Sequence, residues 1–396
     1  MRVSWWSKSV VAAAFVAALV LVGMPVSALA QLGQVETTGS QMILEDYDTG
    51  AVIYEKNPDQ RMHPSSMSKL MTVYVVFKLL SEGKLHMDDS FPVSEKAWRM
   101  QGSKMFVSVG ERIKVSDLLR GVIVQSGNDA CIVLAEGIAG SEDAFVEMLN
   151  AEAKRLGLTN STFRNATGWP DPEHLMTARD LATLARHLIH DFPQYYELFS
   201  EKEFTYGIDV TTKKPITQGN RNPLLYKDIG VDGLKTGHTE EAGYGLVASM
   251  KRGNRRLILV INGLHSMNER SHEPQRLLEL AFSQFDNVKL FSKGDTVDKA
   301  DVWLGSMSQL PLVVNRDVVM TVPRLDKGDV KAVVTYDNPI PAPIVKGTPV
   351  ATLKIVDKDK TLEQIPLTAG ADVQQLGFTG RIGAAINYLM WGASRK

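Results

Sequence analysis

The segment that follows Pro64 reads Ser65-Ser66-Met67-Ser68-Lys69-Leu70-Met71-Thr72-Val73-Tyr74-Val75-Val76-Phe77. It is apolar nearly all round after Lys69, which predicts a helix buried at the centre of a domain. Ser66 and Lys69 stand three positions apart, so on a helix their side chains share one face within hydrogen-bonding distance. A serine needs a neighbouring base before it acts as a nucleophile, and a desolvated lysine loses its proton more readily. The segment therefore predicts a central helix and a candidate nucleophile, Ser66, with Lys69 as its base.

Two further short patterns contain polar groups suited to the same chemistry. Ser126-Gly127-Asn128 ends a predicted helical segment, where the serine could relay a proton and the asparagine could hold an amide. Lys235-Thr236-Gly237 precedes a strand-like run. A lysine on an edge strand beside the nucleophile would attract a substrate carboxylate and discourage protonation of Lys69. Gly237 would leave room for a ligand to approach the backbone.

Each pattern alone is a weak signal, because short motifs recur by chance. Ser81-Glu82-Gly83-Lys84 also has the Ser-x-x-Lys spacing and Ser266-Met267-Asn268 the Ser-x-Asn spacing, whereas Lys-Thr-Gly occurs once. The context separates them, since Ser81 and Lys84 have a glycine between them and lie on a charged loop. We therefore expect the Ser-x-x-Lys pattern at Ser66 to be the functional one.

Strand patterns flank a long helical region in the first part of the chain. A hairpin pattern spans residues 42–54, and strand-like runs span residues 245–249 and 256–261. Residues 115–198 are largely helical, with a Thr-x-x-Asp capping pattern at Thr177. A last amphipathic helix is expected from about Pro274 to Phe285. The hairpin and the late strands would pair in one sheet with the helices packed on it, which is an α+β fold.

The composition changes after about Asn287. Short alternating segments at residues 330–336 and 350–356 are separated by glycine, proline and aspartate, which predicts a small all-β domain. The predicted organisation is a signal peptide at residues 1–30, a catalytic domain at 31–287, an all-β domain at 288–376 and an amphipathic helix at 377–396. That helix carries Trp391 and no acid, so it fits a membrane interface and equally a helix docked on its own domain.

The first thirty residues have the features of a secretory signal peptide. Arg2 and Lys8 are basic, and residues 10–22 form an apolar run too short for a comfortable transmembrane helix. Ala28-Leu29-Ala30 supplies the small residues of a cleavage site. Cleavage there would leave a chain that begins at Gln31.

Charge and cysteine content narrow the class of protein. The formal net charge is −1, which argues against nucleic acid as a partner. Cys131 is the only cysteine, so no internal disulfide is possible and stability must come from packing. Its apolar surroundings predict a buried structural thiol. A periplasm-like compartment is consistent with these features.

The three patterns, in this order, resemble the signature set of penicillin-binding proteins and serine β-lactamases. The chain is similar to the low-molecular-mass D-alanyl-D-alanine carboxypeptidases of Gram-negative bacteria, closely over residues 41–285 and more loosely beyond. The similarity is carried by residues 64–72, 97–103, 125–131, 140–145, 220–222 and 231–239. It implies a β-lactamase/transpeptidase-like catalytic domain, with an antiparallel sheet and a helical region, followed by the all-β domain and the terminal helix.

The resemblance also implies residue roles, with Ser66 as the acylated nucleophile and Lys69 as its base. The backbone amides of Ser66 and His238 would form the oxyanion hole, which stabilises the charge of an acyl-transfer intermediate. The expected catalytic residues are Ser66, Lys69, Ser126, Asn128 and His238. The expected substrate-binding residues hold the terminal carboxylate, and they are Lys235, Thr236 and Gly237.

Partners and location are further implications of the resemblance. The substrate would be a peptidoglycan stem peptide ending in D-Ala-D-Ala, and β-lactam antibiotics would acylate the same serine. No metal or organic cofactor is expected. The terminal helix would attach the protein to the membrane surface, on the periplasmic face of the cytoplasmic (inner) membrane.

Two departures from the family and several alternatives stay open. Some relatives place an arginine soon after a Gly-Gly, but this chain reads Asn262-Gly263-Leu264-His265, and its terminal helix is less basic and aromatic.

A D,D-endopeptidase or transpeptidase would share the acylation step. A serine β-lactamase would share the motifs, but the chain lacks a Glu-x-x-Leu-Asn motif between Ser126 and Lys235. A non-catalytic cell-wall-binding protein would need a broken motif, and none is broken. A zinc site at His187 and His190 lacks an evident third ligand.

Overall fold

The computed structural model describes residues 32–209, 211–325, 330–357 and 360–391. The predicted signal peptide at residues 1–30 and the expected mature N-terminus at Gln31 lie outside these residues. So do residues 392–396, the end of the predicted terminal helix.

Strands come first, helices follow and strands return, as the sequence patterns predict. The strands are β1 (Gln41–Asp46), β2 (Val52–Lys56), β3 (Ser90–Pro92), β4 (Arg112–Lys114), β5 (Glu203–Ile208), β6 (Pro215–Gly219), β7 (Val231–Thr239), β8 (Gly243–Arg252), β9 (Arg255–Leu264), β10 (Phe285–Phe291), β11 (Thr296–Trp303), β12 (Gln309–Val314), β13 (Val318–Pro323), β14 (Val330–Thr335), β15 (Ile340–Pro341), β16 (Pro349–Asp357) and β17 (Lys360–Ala369). The α-helices are α1 (Lys69–Ser81), α2 (Glu95–Arg99), α3 (Val115–Ile123), α4 (Asn128–Ala139), α5 (Glu142–Arg155), α6 (Ala178–Asp191), α7 (Pro193–Tyr196), α8 (Met267–Gln284) and α9 (Phe378–Trp391).

Five antiparallel strands form the sheet of the first domain, in the order β2-β1-β9-β8-β7. The N-terminal hairpin joins the late strands through β1 and β9, where Leu44 pairs with Leu259. The prediction that these segments share one sheet is confirmed. Strand β7 lies at the edge of the sheet, and it contacts the turn formed by Ser65–Ser68.

Helix α1 is the buried centre that its sequence predicts. A 3-10 turn at Ser65–Ser68 leads into it, and residues 69–77 are all buried. One apolar core joins α1 to helices α3 to α6 and to one face of the sheet. The apolar side of α8 covers the other face. Because α1 is packed on all sides, its first turn is held firmly against the sheet.

Helix α8 begins earlier than the sequence patterns suggested. The predicted start was near Pro274, but the helix starts at Met267 and contains Pro274. Ser266 caps it, since its side chain accepts a hydrogen bond from the Glu269 backbone N–H. The proline removes one backbone hydrogen bond, and packing of the apolar side on the sheet offsets that loss. The Ser-x-Asn pattern at Ser266 is therefore a helix cap.

The second domain is a separate all-β unit. A six-stranded sheet has the order β14-β16-β17-β12-β11-β15, and β10 pairs with β13. These strands enclose their own core, which includes Leu312, Leu353 and Leu367. The predicted all-β domain and the α+β fold are confirmed. Strand β10 continues directly from α8 at Phe285, and the domain boundary after residue 287 stays a prediction.

Helix α9 lies at the end of the described chain. Phe378, Ile382 and Ile386 are exposed, and because they recur every four residues they form one apolar stripe along the helix. Among the described residues, the helices are all too short or too polar to cross a membrane.

Candidate active site

Ser66 and Lys69 lie at the junction of the 3-10 turn and α1. The Lys69 Nζ donates hydrogen bonds to Ser66 Oγ at 3.0 Å, to Asn128 Oδ1 at 2.7 Å and to the Thr167 carbonyl at 2.5 Å. The Lys69 side chain is fully buried. Among the ion pairs of the described residues, none includes Lys69. The amine therefore reaches the serine, and its three hydrogen-bond acceptors are all neutral oxygens.

The surroundings of Lys69 favour its neutral form. Burial lowers the pKa of its amine to about 8, and the charge of Arg221 adds to the effect. Cys131 and Asp129 act in the opposite direction. A neutral amine accepts a proton, so Lys69 is suited to be the base for Ser66.

Lys235 on β7 reaches the second serine of the site. Its Nζ donates to Ser126 Oγ at 2.9 Å, and its side chain is buried. Burial lowers the pKa of Lys235 well below its usual value, and the charges of Lys69 and Arg221 lower it further. The structure thus joins the Lys-Thr-Gly and Ser-x-Asn patterns through one hydrogen bond.

Asn128 is held at both ends of its amide. Its oxygen accepts from Lys69, and its Nδ2 donates to the Gln101 carbonyl at 2.7 Å. The next residue, Asp129, is buried and accepts hydrogen bonds from the backbone amides of residues 105–107. Asp129 thereby fixes the loop beside the site, a role that its position after the motif did not reveal.

Strand β7 packs closely on the turn that carries Ser66. A β-carbon at Gly237 would stand 2.8 Å from the Pro64 carbonyl and 3.2 Å from the Ser65 β-carbon. Ser65 Oγ donates to Thr239 Oγ1 at 3.3 Å. Glycine is needed here for close approach. Thr236 is buried between Lys235 and Gly237. The edge strand that carries Lys235 and Thr236 therefore lies directly against the turn that carries Ser66.

The His238 side chain points away from the buried part of the site. His238 is exposed, and its ring lies against Tyr244 at a tilt of 31°, with 3.9 Å between ring centroids. Any part that His238 plays in an oxyanion hole would therefore come from its backbone amide.

Two arginines that were not among the predicted site residues add positive charge near Lys235. Arg270, on α8, is buried, donates to the Gly237 carbonyl at 3.4 Å and lies over the Tyr244 ring. Its Nε has no hydrogen-bond partner among the described residues. Arg221 donates to Ser103 Oγ at 2.6 Å. Burial lowers the pKa of both arginines. Arg270 was missed because α8 was expected to begin after it.

His187 and His190 do not form a metal site with other residues. Both side chains bond the same carboxylate, Asp191, at 3.0 and 2.8 Å. Within the described ranges, no group of three or more His, Cys, Asp or Glu side chains is arranged to hold a metal ion.

Comparison with known proteins identifies the family. The family described as D-alanyl-D-alanine carboxypeptidase matches residues 28–266, and the C-terminal domain of penicillin-binding protein 5 matches residues 285–375. The D-alanyl-D-alanine carboxypeptidase DacC of Escherichia coli K12 is 40% identical over 348 residues, 86% of this chain and 85% of that protein.

Solved structures agree with this match. Penicillin-binding protein 5 from Haemophilus influenzae superposes with a TM-score of 0.78 and 38% identity, covering 86% of this chain and 99% of that one. Penicillin-binding protein D2 from Listeria monocytogenes, in its ampicillin-bound form, superposes with a TM-score of 0.56 and 27% identity. That match covers 63% of this chain and 98% of the Listeria chain. The predicted transpeptidase-like fold is confirmed. The first family match spans more than half of the chain, and the chain therefore belongs to the D-alanyl-D-alanine carboxypeptidase family of serine peptidases.

Proposed function

We propose that this protein removes the terminal D-alanine from peptidoglycan stem peptides that end in D-Ala-D-Ala, through an acyl-enzyme on Ser66. One observation carries the assignment of residues. Lys69 is a buried amine with a lowered pKa, it has no carboxylate partner among the described ion pairs, and it lies 3.0 Å from Ser66 Oγ. This arrangement activates a serine without a histidine.

Acylation begins as the Ser66 hydroxyl gives its proton to Lys69 and its oxygen attacks the carbonyl carbon of the penultimate D-alanine. The backbone N–H groups of Ser66 and His238 donate hydrogen bonds to the carbonyl oxygen and stabilise the negative charge that develops on it. The C–N bond then breaks, and the proton held by Lys69 passes to the departing amine by way of the Ser126–Lys235 pair, which leaves Lys69 neutral again. Water then attacks the Ser66 ester and gives a proton to Lys69, and that proton returns to the Ser66 oxygen as the shortened peptide leaves.

The terminal carboxylate of the substrate meets a cluster of cations. Lys235 and Thr236 lie on β7, Arg270 donates to the Gly237 carbonyl on the same strand, and the charges of Arg270 and Arg221 both act on Lys235. No acid is paired with Arg270 or Arg221 in the described structure. A substrate carboxylate therefore supplies the anion that these groups lack.

The first experiment measures D-alanine release from a pentapeptide ending in D-Ala-D-Ala, with EDTA present, and records the intact mass after penicillin treatment. We expect metal-independent release and a stable penicillin adduct at Ser66. Ser66→Ala should lose both and keep its melting temperature. Ser81→Ala, which alters the other Ser-x-x-Lys pattern, is the matched control and should keep both.

The other outcomes assign different functions. Rapid penicillin turnover without D-alanine release would identify a β-lactamase. An adduct with cleavage or exchange of cross-linked peptides only would identify an endopeptidase or a transpeptidase. An adduct with no turnover at all would identify a binding role. β-Lactams are proposed as inhibitors because the ampicillin-bound Listeria protein shares the fold of this domain.

We also propose that the protein works in the periplasm, attached to the outer face of the cytoplasmic membrane by α9. The exposed stripe of Phe378, Ile382 and Ile386 supports attachment, because an apolar stripe on a helix without acids can enter a lipid interface. The basic and apolar pattern of residues 1–30 supports export.

Deletion of residues 377–396 tests the attachment. The truncated enzyme should stay active and remain in the supernatant, while the full chain co-sediments with anionic lipid vesicles. Co-sedimentation of the truncated protein at the same level would contradict attachment through α9.

A further inference from the structure

The loop formed by residues 163–174 packs on the first turns of α1 and supplies one of the three hydrogen-bond partners of Lys69. The Thr167 carbonyl accepts from Lys69, and the Ala166 carbonyl accepts from the Thr72 hydroxyl at 2.8 Å. A β-carbon at Gly168 would stand 2.0 Å from the Ser65 carbonyl oxygen. The position of this loop therefore decides whether Lys69 keeps its carbonyl partner and its shield from water.

His174 ties the end of this loop to the start of α1. Its Nε2 lies 2.6 Å from Ser68 Oγ, and both side chains are buried. The backbone N–H of Arg164 donates to His174 Nδ1 at 3.2 Å. Because that N–H can only donate, Nδ1 carries no hydrogen, and Nε2 carries the hydrogen and donates it to Ser68. The imidazole in this position is neutral.

The surroundings of His174 keep it neutral. The side chain packs edge-on against Phe163, with 5.5 Å between ring centroids. The charged or titratable groups that face it are Asp171 on the same loop, Lys69 on α1 and His63 before the 3-10 turn. Burial lowers the pKa of His174 to about 4, Lys69 and His63 lower it further, and Asp171 opposes them. Protonation would also place a hydrogen against the Arg164 N–H.

We propose that His174 is a positioning residue for Lys69. By holding Ser68 and the backbone of Arg164 together, its imidazole keeps the 163–174 loop closed over the base and keeps the Thr167 carbonyl on the amine. His174 touches neither substrate nor Ser66 in this scheme and acts through Lys69 alone. The inference rests on the proposed roles of Ser66 and Lys69.

The test measures acylation of Ser66 by a penicillin against pH, by intact mass, in the full chain. His174→Phe keeps an aromatic ring, although a larger one, and removes both hydrogen bonds. It should lower the second-order rate constant at neutral pH by about tenfold to one hundredfold. The acidic limb of the profile should move to higher pH, because water that reaches Lys69 raises its pKa. His174→Gln retains a donor for Ser68 and should restore most of the rate.

Ser68→Ala removes the other partner by a smaller change, so it serves as a second variant where His174→Phe folds poorly. Ser68→Ala should also move the acidic limb of the pH profile to higher pH. The double variant should be no slower than the slower single one, because both changes break one contact. Thr177→Ala is the control, since it removes the cap of α6 and should lower the melting temperature while the His174–Ser68 and Lys69–Thr167 hydrogen bonds keep both partners. Its acidic limb should stay in place.

Two outcomes would overturn the inference alone. One is a wild-type rate and profile in both His174→Phe and Ser68→Ala. The other is a slower rate with an unmoved acidic limb and a melting temperature lowered as in Thr177→Ala, which would mean a purely structural role. A wild-type adduct on a residue other than Ser66 would overturn the proposed function, and this inference with it.

Discussion

At the scale of single residues, the proposed role of Lys69 as the base requires its neutral amine. Burial lowers its pKa to about 8, so the ammonium predominates below that pH and the amine above it. We expect kcat/KM for D-alanine release to rise about tenfold per pH unit on the acidic side and to level off above about pH 8. Initial rates from about pH 6 to about pH 9 test this. A flat profile would mean that Lys69 is not the base.

His174 also makes the stability of the folded protein depend on pH. Its pKa falls from an ordinary 6.5 to about 4 in the folded state. Between these values the unfolded chain binds the proton and the folded chain does not, so stability decreases as pH falls from 6.5 towards 4. The loss should reach about 3 kcal/mol. Urea unfolding of wild type and His174→Gln over this range measures it, and equal pH slopes for the two would contradict the assignment.

Arg270 should bind the substrate carboxylate. The structure buries its guanidinium beside the Gly237 carbonyl and leaves Nε without a partner. Arg270→Gln should reduce kcat/KM for the pentapeptide by about tenfold to one hundredfold, since a hydrogen bond to a charged group is lost. A peptide that ends in an amide instead of a carboxylate is the control, and the substitution should affect its cleavage little. Equal losses for both peptides would mean that Arg270 has only a packing role.

The residues that the sequence did and did not reveal differ in how they reach the site. Ser66 and Lys69 were predictable because their contact depends on a spacing of three within one helical segment. His174 and the Thr167 carbonyl reach the same centre from a loop about one hundred residues away, and no local pattern records that contact. Arg270 was hidden because the start of its helix depends on the Ser266 cap.

At the scale of elements, the close approach of β7 to the 3-10 turn sets the distance between Lys235 and Ser66. Gly237→Ala would place a β-carbon 2.8 Å from the Pro64 carbonyl, so the strand or the turn must move. Overpacking of this kind costs about 1–3 kcal/mol, and we expect penicillin acylation to slow by about tenfold or more. Gly377→Ala, where a β-carbon meets nothing within 4 Å, is the control. Acylation of Gly237→Ala at the wild-type rate would refute this account.

The elements themselves were largely predictable from periodicity and caps. The apolar run of α1 and the capping pattern at Thr177 each gave the right structure, and the Thr177 side chain accepts from the Asp180 N–H. The start of α8 was wrong because Pro274 was treated as a boundary. A helix can continue through a proline when packing stabilises the turns on both sides of it. In this protein the apolar side of α8 packs on the sheet and provides that stabilisation.

At the scale of the whole molecule, a buried polar joint connects the two domains. Asp46, at the end of β1, pairs with Arg255 at 2.8 Å and accepts from Asn287 Nδ2 at 3.0 Å. The hydroxyl oxygens of Thr49 and Thr321 form a hydrogen bond of 2.6 Å beside it. Among the hydrogen bonds and ion pairs that these residues form within the described structure, none involves a proposed catalytic side chain. The order of domains followed from composition, but the joint did not, since it brings together residues more than two hundred positions apart.

This arrangement predicts that the joint contributes to the free energy of unfolding and does not affect the rate of acylation. Asp46→Asn keeps the shape of the side chain and leaves the partly buried Arg255 without its anion, which should cost about 3 kcal/mol of unfolding free energy. The rate of penicillin acylation at Ser66 should remain at the wild-type value. Asp48→Asn, which removes an exposed carboxylate two residues away, is the control and should change neither quantity. Urea unfolding and mass-detected acylation give the two readouts on one sample. If acylation slowed in step with the loss of stability, the β domain would have to be coupled to the active site through β1, because β1 pairs with β9 and the sheet continues from there to β7.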